Sequence, residues 1–157
     1  MTPASKPPTP EAQLRALLDQ LDPQQRKIVR GMRAALRKRF PAANELAYDY
    51  SHSLVISYSP TERGIDGIVA ISARAGCVAL FFNQGPKLPD PQRLLQGSGK
   101  QTRFLPIETA SRLAHPDVAA LIAAAAEQST TPLPAKGKGS LILKSSEKKT
   151  RSRRKRA

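Results

Sequence analysis

At 157 residues, 39% of them apolar, the chain can fill one hydrophobic core but leaves little material for a second domain. Its longest unbroken apolar run, Val118 to Ala126, falls far short of the roughly 20 residues of a membrane span, and the proline-rich start has no apolar stretch of the secretory kind, so a cytoplasmic protein without a membrane partner is expected. The formal charge of +14 is uneven: residues 129–157 hold ten cations and one acid, Glu147, which leaves +5 for everything before them.

Beyond the lead over residues 1–10, Leu14, Leu17, Leu18 and Leu21 recur at the spacing of one helical face, which predicts a helix over Glu11 to Leu21. Asp22 followed by Pro23 is an N-cap with proline at the first helical position, so a second helix runs from Pro23 to Phe40, where Pro41 stops it. Ile28, Met32, Ala35, Leu36 and Phe40 share one face of it, and the stripe Arg26, Arg30, Arg33 and Arg37 is expected to face solvent.

From Glu45 the period changes to two. Leu46, Tyr48 and Tyr50, then Leu54, Ile56 and Tyr58, suit half-buried strands joined through Ser51-His52-Ser53. Gly67 to Arg74 and Cys77 to Asn83 read as a hairpin turning at Ala75-Gly76. A loop follows over Gln84 to Gly99, with a short helical stretch at Gln92 to Gln96, and Arg103 to Ile107 suits a fifth strand. His115-Pro116-Asp117 opens an alanine-rich helix through Gln128, with Val118, Leu121 and Ile122 on its apolar face.

The expected fold is therefore α+β: two N-terminal helices and a C-terminal helix packed on one face of an antiparallel sheet of four or five strands, over residues 11–128. Residues 129–157 dissolve into Ser, Thr, Pro, Lys and Gly, with only Leu141-Ile142-Leu143 to pack, and read as a disordered basic tail.

Leu88 to Arg103, LPDPQRLLQGSGKQTR, together with FPAANELAYDY and VAISARAGCVALFFNQGPK before it, resembles the YdhG-like family of bacterial domains of unknown function, over about residues 10 to 128. The resemblance implies helices followed by sheet, an LPDP-type loop, a glycine-glycine-lysine element and a closing helix. Tyr50 to Ser53 departs from the glycine-proline-type turn of many members, and Pro60 to Gly64 reads as a loop of a subgroup. Some members are described as frataxin-like intracellular iron chaperones. Iron held without cysteine requires clustered carboxylates or histidines. Here Glu45, Asp49, Glu62, Asp66 and Asp90 are scattered and read as surface and turn charges.

Gly97-Ser98-Gly99-Lys100 with Arg103 is the sharpest local feature. Closely spaced glycines can turn backbone N–H groups toward an anion, and Lys100 and Arg103 add charge. It lacks the spacing of a phosphate-binding P-loop, and Gln101 stands where that loop needs Ser or Thr. The alternative is a plain turn, with Asp90 pairing one of the cations. Tyr48, Tyr50 and His52 fall on one face of their strand and Asp49 on the other, as core or edge aromatics. Cys77 reads as a small buried residue and can form no internal disulfide; no Cys/His cluster has zinc-ligand spacing, and neither a metal site nor a cofactor is expected.

The last ten residues contain seven cations, Lys148, Lys149, Arg151, Arg153, Arg154, Lys155 and Arg156, and no acid. Such a block neutralises phosphates without reading bases. The sequence thus points to a non-enzymatic accessory protein whose tail contacts nucleic acid or another polyanion. The rival is a small-ligand or iron carrier that uses the sheet and the 85–103 loop. No nucleophile, base and oxyanion donor can be assembled into a catalytic set.

Overall fold

The structure is a computed structural model that describes residues 9–50, 53–63, 66–74, 76–91, 93–97, 102–129, 133 and 137–145. Among the described residues it is an α+β arrangement of three α-helices on a six-stranded mixed sheet. Helix α1 (Pro10–Asp19) begins where the Thr9 hydroxyl accepts from Ala12 N at 3.1 Å. Helix α2 (Pro23–Arg39) begins where the Asp22 carboxylate accepts from Gln25 N at 2.7 Å. Both have proline at the first helical position, whose missing N–H would lack an intrahelical partner in any case.

Strands β1 (Asn44–Tyr50), β2 (Ser53–Ser59), β3 (Val69–Arg74), β4 (Cys77–Phe82) and β5 (Arg103–Pro106) pair antiparallel in sequence order. The β3–β4 turn closes at Arg74 opposite Cys77, with Gly76 at φ +70°, the left-handed conformation that a two-residue hairpin loop demands. Helix α3 (Pro116–Glu127) then leads back to β6 (Leu141–Ser145), which lies parallel to β1 on its outer edge.

This sixth strand corrects the expected sheet of four or five antiparallel strands, and it lies beyond residue 128, in the stretch that the sequence reading gave to the tail. Two glycines admit it. Gly137 adopts φ +104°, and a Cβ on Gly139 would stand 1.7 Å from the Ala43 carbonyl oxygen, so only glycine lets the incoming backbone reach this edge. Gly139 N then donates to Pro41 O, Ser140 N to the Asn44 side chain, and Glu45 N to Ser140 O, each at 2.9 Å. Leu141 and Leu143 pack against the core, and the edge of β1 is no longer an open row of donors and acceptors.

One core joins the helices to one face of the sheet. Leu14 and Leu18 of α1, Val29, Met32 and Leu36 of α2, and Val118, Leu121 and Ile122 of α3 meet Ala47, Leu54, Ile56, Tyr58, Val69, Ile71, Val78, Leu80 and Phe82. The intervening strand positions Leu46, Ala70 and Ala79 stand outside this cluster, as side-chain alternation requires. All three helices therefore lie on one side.

The remaining differences from the sequence reading are local. No helix forms over the described part of Gln92 to Gln96. The Asp90 carboxylate accepts from Leu94 N and Leu95 N at 2.9 Å each, Arg93 takes φ 53°, and Gln96 bridges to Phe104. A stretch bounded by Pro91 and Gly97 is too short for the i to i−4 ladder, and the carboxylate satisfies its amides instead. Asp90 thus caps the backbone of this loop. Ala35 of α2 is exposed, and Val29 joins the buried face in its place.

Candidate functional site

Each strand presents alternate residues to the two faces, and the faces differ in chemistry. The strands contain two carboxylates, Glu45 and Asp49, and both are on the helix side by register, opposite Tyr58 and Leu54 of β2. Glu45 is only 4% exposed, which corrects its reading as a surface charge. Arg33 grips it with two bonds, Nε at 2.8 Å and Nη2 at 3.0 Å, Tyr58 Oη donates to it at 2.7 Å, and Arg37 Nε stands 3.6 Å away. Arg33 also reaches Glu11 of α1.

Half of the arginine stripe is therefore not a solvent face. With Val29 buried, the apolar side of α2 turns toward Arg33, which lies on its flank over β1. Arg26 similarly donates to Leu18 O and Leu21 O at the end of α1, while Arg30 and Arg37 are exposed. Burial works against the charge of Arg33, but the hydrogen bonds to Glu45 and Glu11 outweigh it and hold the guanidinium charged. The bond from Arg33 lowers Glu11, and burial beside the Glu45 charge pushes the Tyr58 phenol well above its ordinary range. This cluster is internally matched.

The opposite face holds Asn44, Leu46, Tyr48 and Tyr50 of β1, Ser53, Val55 and Ser57 of β2, Ala70, Ser72 and Arg74 of β3, Cys77, Ala79 and Phe81 of β4, Phe104 of β5, and Ile142 and Lys144 of β6. Two of these are cations and none is an acid. Tyr48 and Tyr50 stack with ring centroids 5.9 Å apart and planes at 9°, and Tyr50 is 42% exposed. Burial, then the neighbouring Tyr50, raises the Tyr48 phenol. Phe81 and Phe104 stack at 5.3 Å. Lys144 Nζ is held over this face by the Glu62 carbonyl at 2.8 Å. Cys77 is exposed, not buried, because it shares the parity of Ala79 and Phe81 and not that of Val78, Leu80 and Phe82. Strand parity was the signal for Arg74, which sequence reasoning passed over.

At the Tyr50 end of the sheet an open cleft of ≈ 320 Å³ lies between the α1–α2 junction and the β1–β2 hairpin, with Gln20, Gln25, Asp49, Tyr50 and Arg74 among its walls. Gln25 Nε2 donates to Arg74 O at 2.6 Å and Cys77 O at 3.3 Å, which ties α2 to the β3–β4 turn. Of the proposed anion loop, Gly97 adopts φ +111° and packs on the Phe104 ring, and Arg103 Nη1 donates to Thr102 O at 3.0 Å. Gly99 and Lys100 lie outside the described residues, as do His52 and the seven tail cations Lys148, Lys149, Arg151, Arg153, Arg154, Lys155 and Arg156. Among the described residues no three His, Cys, Asp or Glu side chains gather as a metal site, and no helix is long and apolar enough to cross a membrane.

Compared with known proteins, the chain matches no family model, and neither a curated protein nor a solved structure is significantly similar to it.

Proposed function

We propose that this is a non-enzymatic accessory protein of the cytoplasm, a YdhG-like domain whose basic C-terminal run holds nucleic acid or another polyanion. The observation that carries the reading is the course of β6: it runs parallel to β1 and ends with Ser145 opposite Asp49, a few residues in sequence before the cationic run that begins at Lys148. Phosphate neutralisation by these cations then supplies affinity by counterion release. The order of two helices, an antiparallel meander and a closing helix agrees with the YdhG-like resemblance of the LPDP loop region. The described polar clusters serve the fold: Glu45 with its arginines, Asp90 with its backbone amides, Gln25 with the turn carbonyls.

The cleft beside Tyr50 favours a second reading, a small-ligand carrier. That cleft lies at the opposite end of the strands from the 85–103 loop, because the loop joins Phe82 to Arg103 while the cleft includes Arg74 and Tyr50. The test is duplex DNA binding over a salt series, by the full chain and by a chain that ends at Glu147. Truncation should weaken binding and flatten the salt dependence, whereas unchanged affinity and slope would remove the proposal.

A further inference from the structure

We infer that the cleft at the Tyr50 end of the sheet is a site for a small linear zwitterion, an ω-amino carboxylate of about five or six carbons. Its ammonium meets Asp49, its carboxylate meets Arg74, and its chain lies against leucine. The inference rests on the small-ligand reading of this cleft, adds to it the chemistry of the ligand, and is independent of the tail.

Register builds the floor. Asp49, Leu54 and Ala73 stand side by side on β1, β2 and β3 as the last helix-side row, and Tyr50, Ser53 and Arg74 form the row beyond it at the strand ends. The opposite wall comes from the end of α1 and the start of α2, where Leu17 and Leu21 line the cleft and are only half-buried. The middle of the cleft is therefore apolar, and its ≈ 320 Å³ lies at the small end of the range of organic-ligand sites. Gln25 Nε2, 2.6 Å from Arg74 O and 3.3 Å from Cys77 O, ties the helical wall to the β3 end of the floor. The cleft thus keeps its width without a ligand, which lowers the cost of binding one.

Charge marks the two ends. Asp49 is on β1 and Arg74 on β3, two strands apart, or about 9.5 Å between backbones at ordinary strand spacing. Both are exposed, and among the described residues no ion pair joins them, so each end keeps its own sign. A carboxylate accepts from more than one donor, so Asp49 takes an ammonium in addition to its neighbours. The Arg74 guanidinium offers the planar fork that fits a carboxylate. A simple anion or a simple cation gains at one end and is disfavoured at the other, whereas a molecule with both charges gains at both. An α-amino acid holds its charges too close together to reach the two ends. At about 1.5 Å per carbon–carbon bond, and with the two side chains taking up part of the gap, a chain of five or six carbons spans it.

The experiment titrates the full chain with ω-aminohexanoate, hexanoate, hexylammonium and glycine, by calorimetry and by the backbone amide shifts of Gln20, Gln25, Tyr50 and Arg74. ω-Aminohexanoate should bind about fivefold or more tightly than either singly charged probe and should move these amides. Arg74→Gln should weaken it about fivefold and leave hexylammonium unaffected; Asp49→Asn should weaken it as much and leave hexanoate unaffected. Both positions are exposed, so the variants should keep the parent's circular dichroism. Equal affinity for ω-aminohexanoate and hexanoate, or a preference that survives both substitutions, would overturn the zwitterion and leave a small-ligand cleft standing. No amide shift at the cleft with any of the four probes would remove the small-ligand reading as well.

Discussion

The two faces of the sheet are built from the same strands yet treat charge in opposite ways. On the helix side Glu45 sits at 4% exposure with every polar demand met, by Arg33, Arg37 and Tyr58, and its cluster ties α1, α2, β1 and β2 into one body. On the other side the strand register presents Arg74 and Lys144 and no acid, while at the sheet's end Asp49 shares a cleft with Arg74. A buried charge belongs with its counter-charge, and a surface that keeps cations without acids is suited to an anion from outside. The comparison teaches that residue parity along a strand, more than net charge, separates structural ions from those available to a partner.

The largest expected effect lies on the closed face. Glu45→Ala leaves Arg33 and the Tyr58 hydroxyl without their shared acceptor and should cost about 4 kcal/mol in urea unfolding, whereas Tyr50→Ala on the open face should change stability by about 0.5 kcal/mol or less. Similar losses for the two variants would erase the distinction between the faces.

An intermediate effect is expected where β6 meets β1. In Gly139→Val the new Cβ meets the Ala43 carbonyl at 1.7 Å, so β6 should leave the edge, at a cost of about 2 kcal/mol. Hydrogen exchange reports it directly: the Glu45 amide, bonded to Ser140 O, should lose protection, while the helix-side amides keep theirs. Retained protection at Glu45 would show that the edge tolerates the branch.

A smaller effect is a pH dependence confined to the closed face. The Tyr58 phenol is pushed up by burial and by the Glu45 charge, so the folded state keeps a proton that the unfolded chain releases above about pH 10. Stability from this group is present below that pH and is lost as pH rises toward the folded value, by at most about 1.4 kcal/mol per pH unit. Chemical denaturation of Tyr58→Phe from pH 9 upward should show a shallower decline than the parent, and parallel curves would contradict the assignment.

Much of the fold is legible in the sequence, for physical reasons that also mark where legibility ends. Helices α1 and α2 announce themselves through leucine periodicity and the Asp22-Pro23 start, and the meander through alternation around Gly76. Strand β6 does not, because five residues that include a lysine, set among glycine and serine, carry no local period, and the parallel pairing with β1 joins positions almost a hundred residues apart. The candidate site is legible in part. The shared face of Tyr48 and Tyr50 follows from spacing alone. The burial of Glu45 requires knowing that Arg33, on the flank of α2, lies above β1, which only the packing of Val29 reveals. The alternation that exposes Cys77 was present in the sequence but yields to the apolar company of its neighbours.

The central claim, that a tail rooted at the end of β6 holds nucleic acid through its phosphates, is tested most directly by the slope of log K against log salt for duplex DNA, with the full chain and with a chain ending at Glu147. Each phosphate contact contributes about 0.9 to the slope, so removal of the seven cations from Lys148 to Arg156 should flatten it by about 4 to 6 and weaken binding at low salt by several orders of magnitude. Duplexes of scrambled sequence should bind alike. Identical slopes and affinities for the two chains would contradict the account.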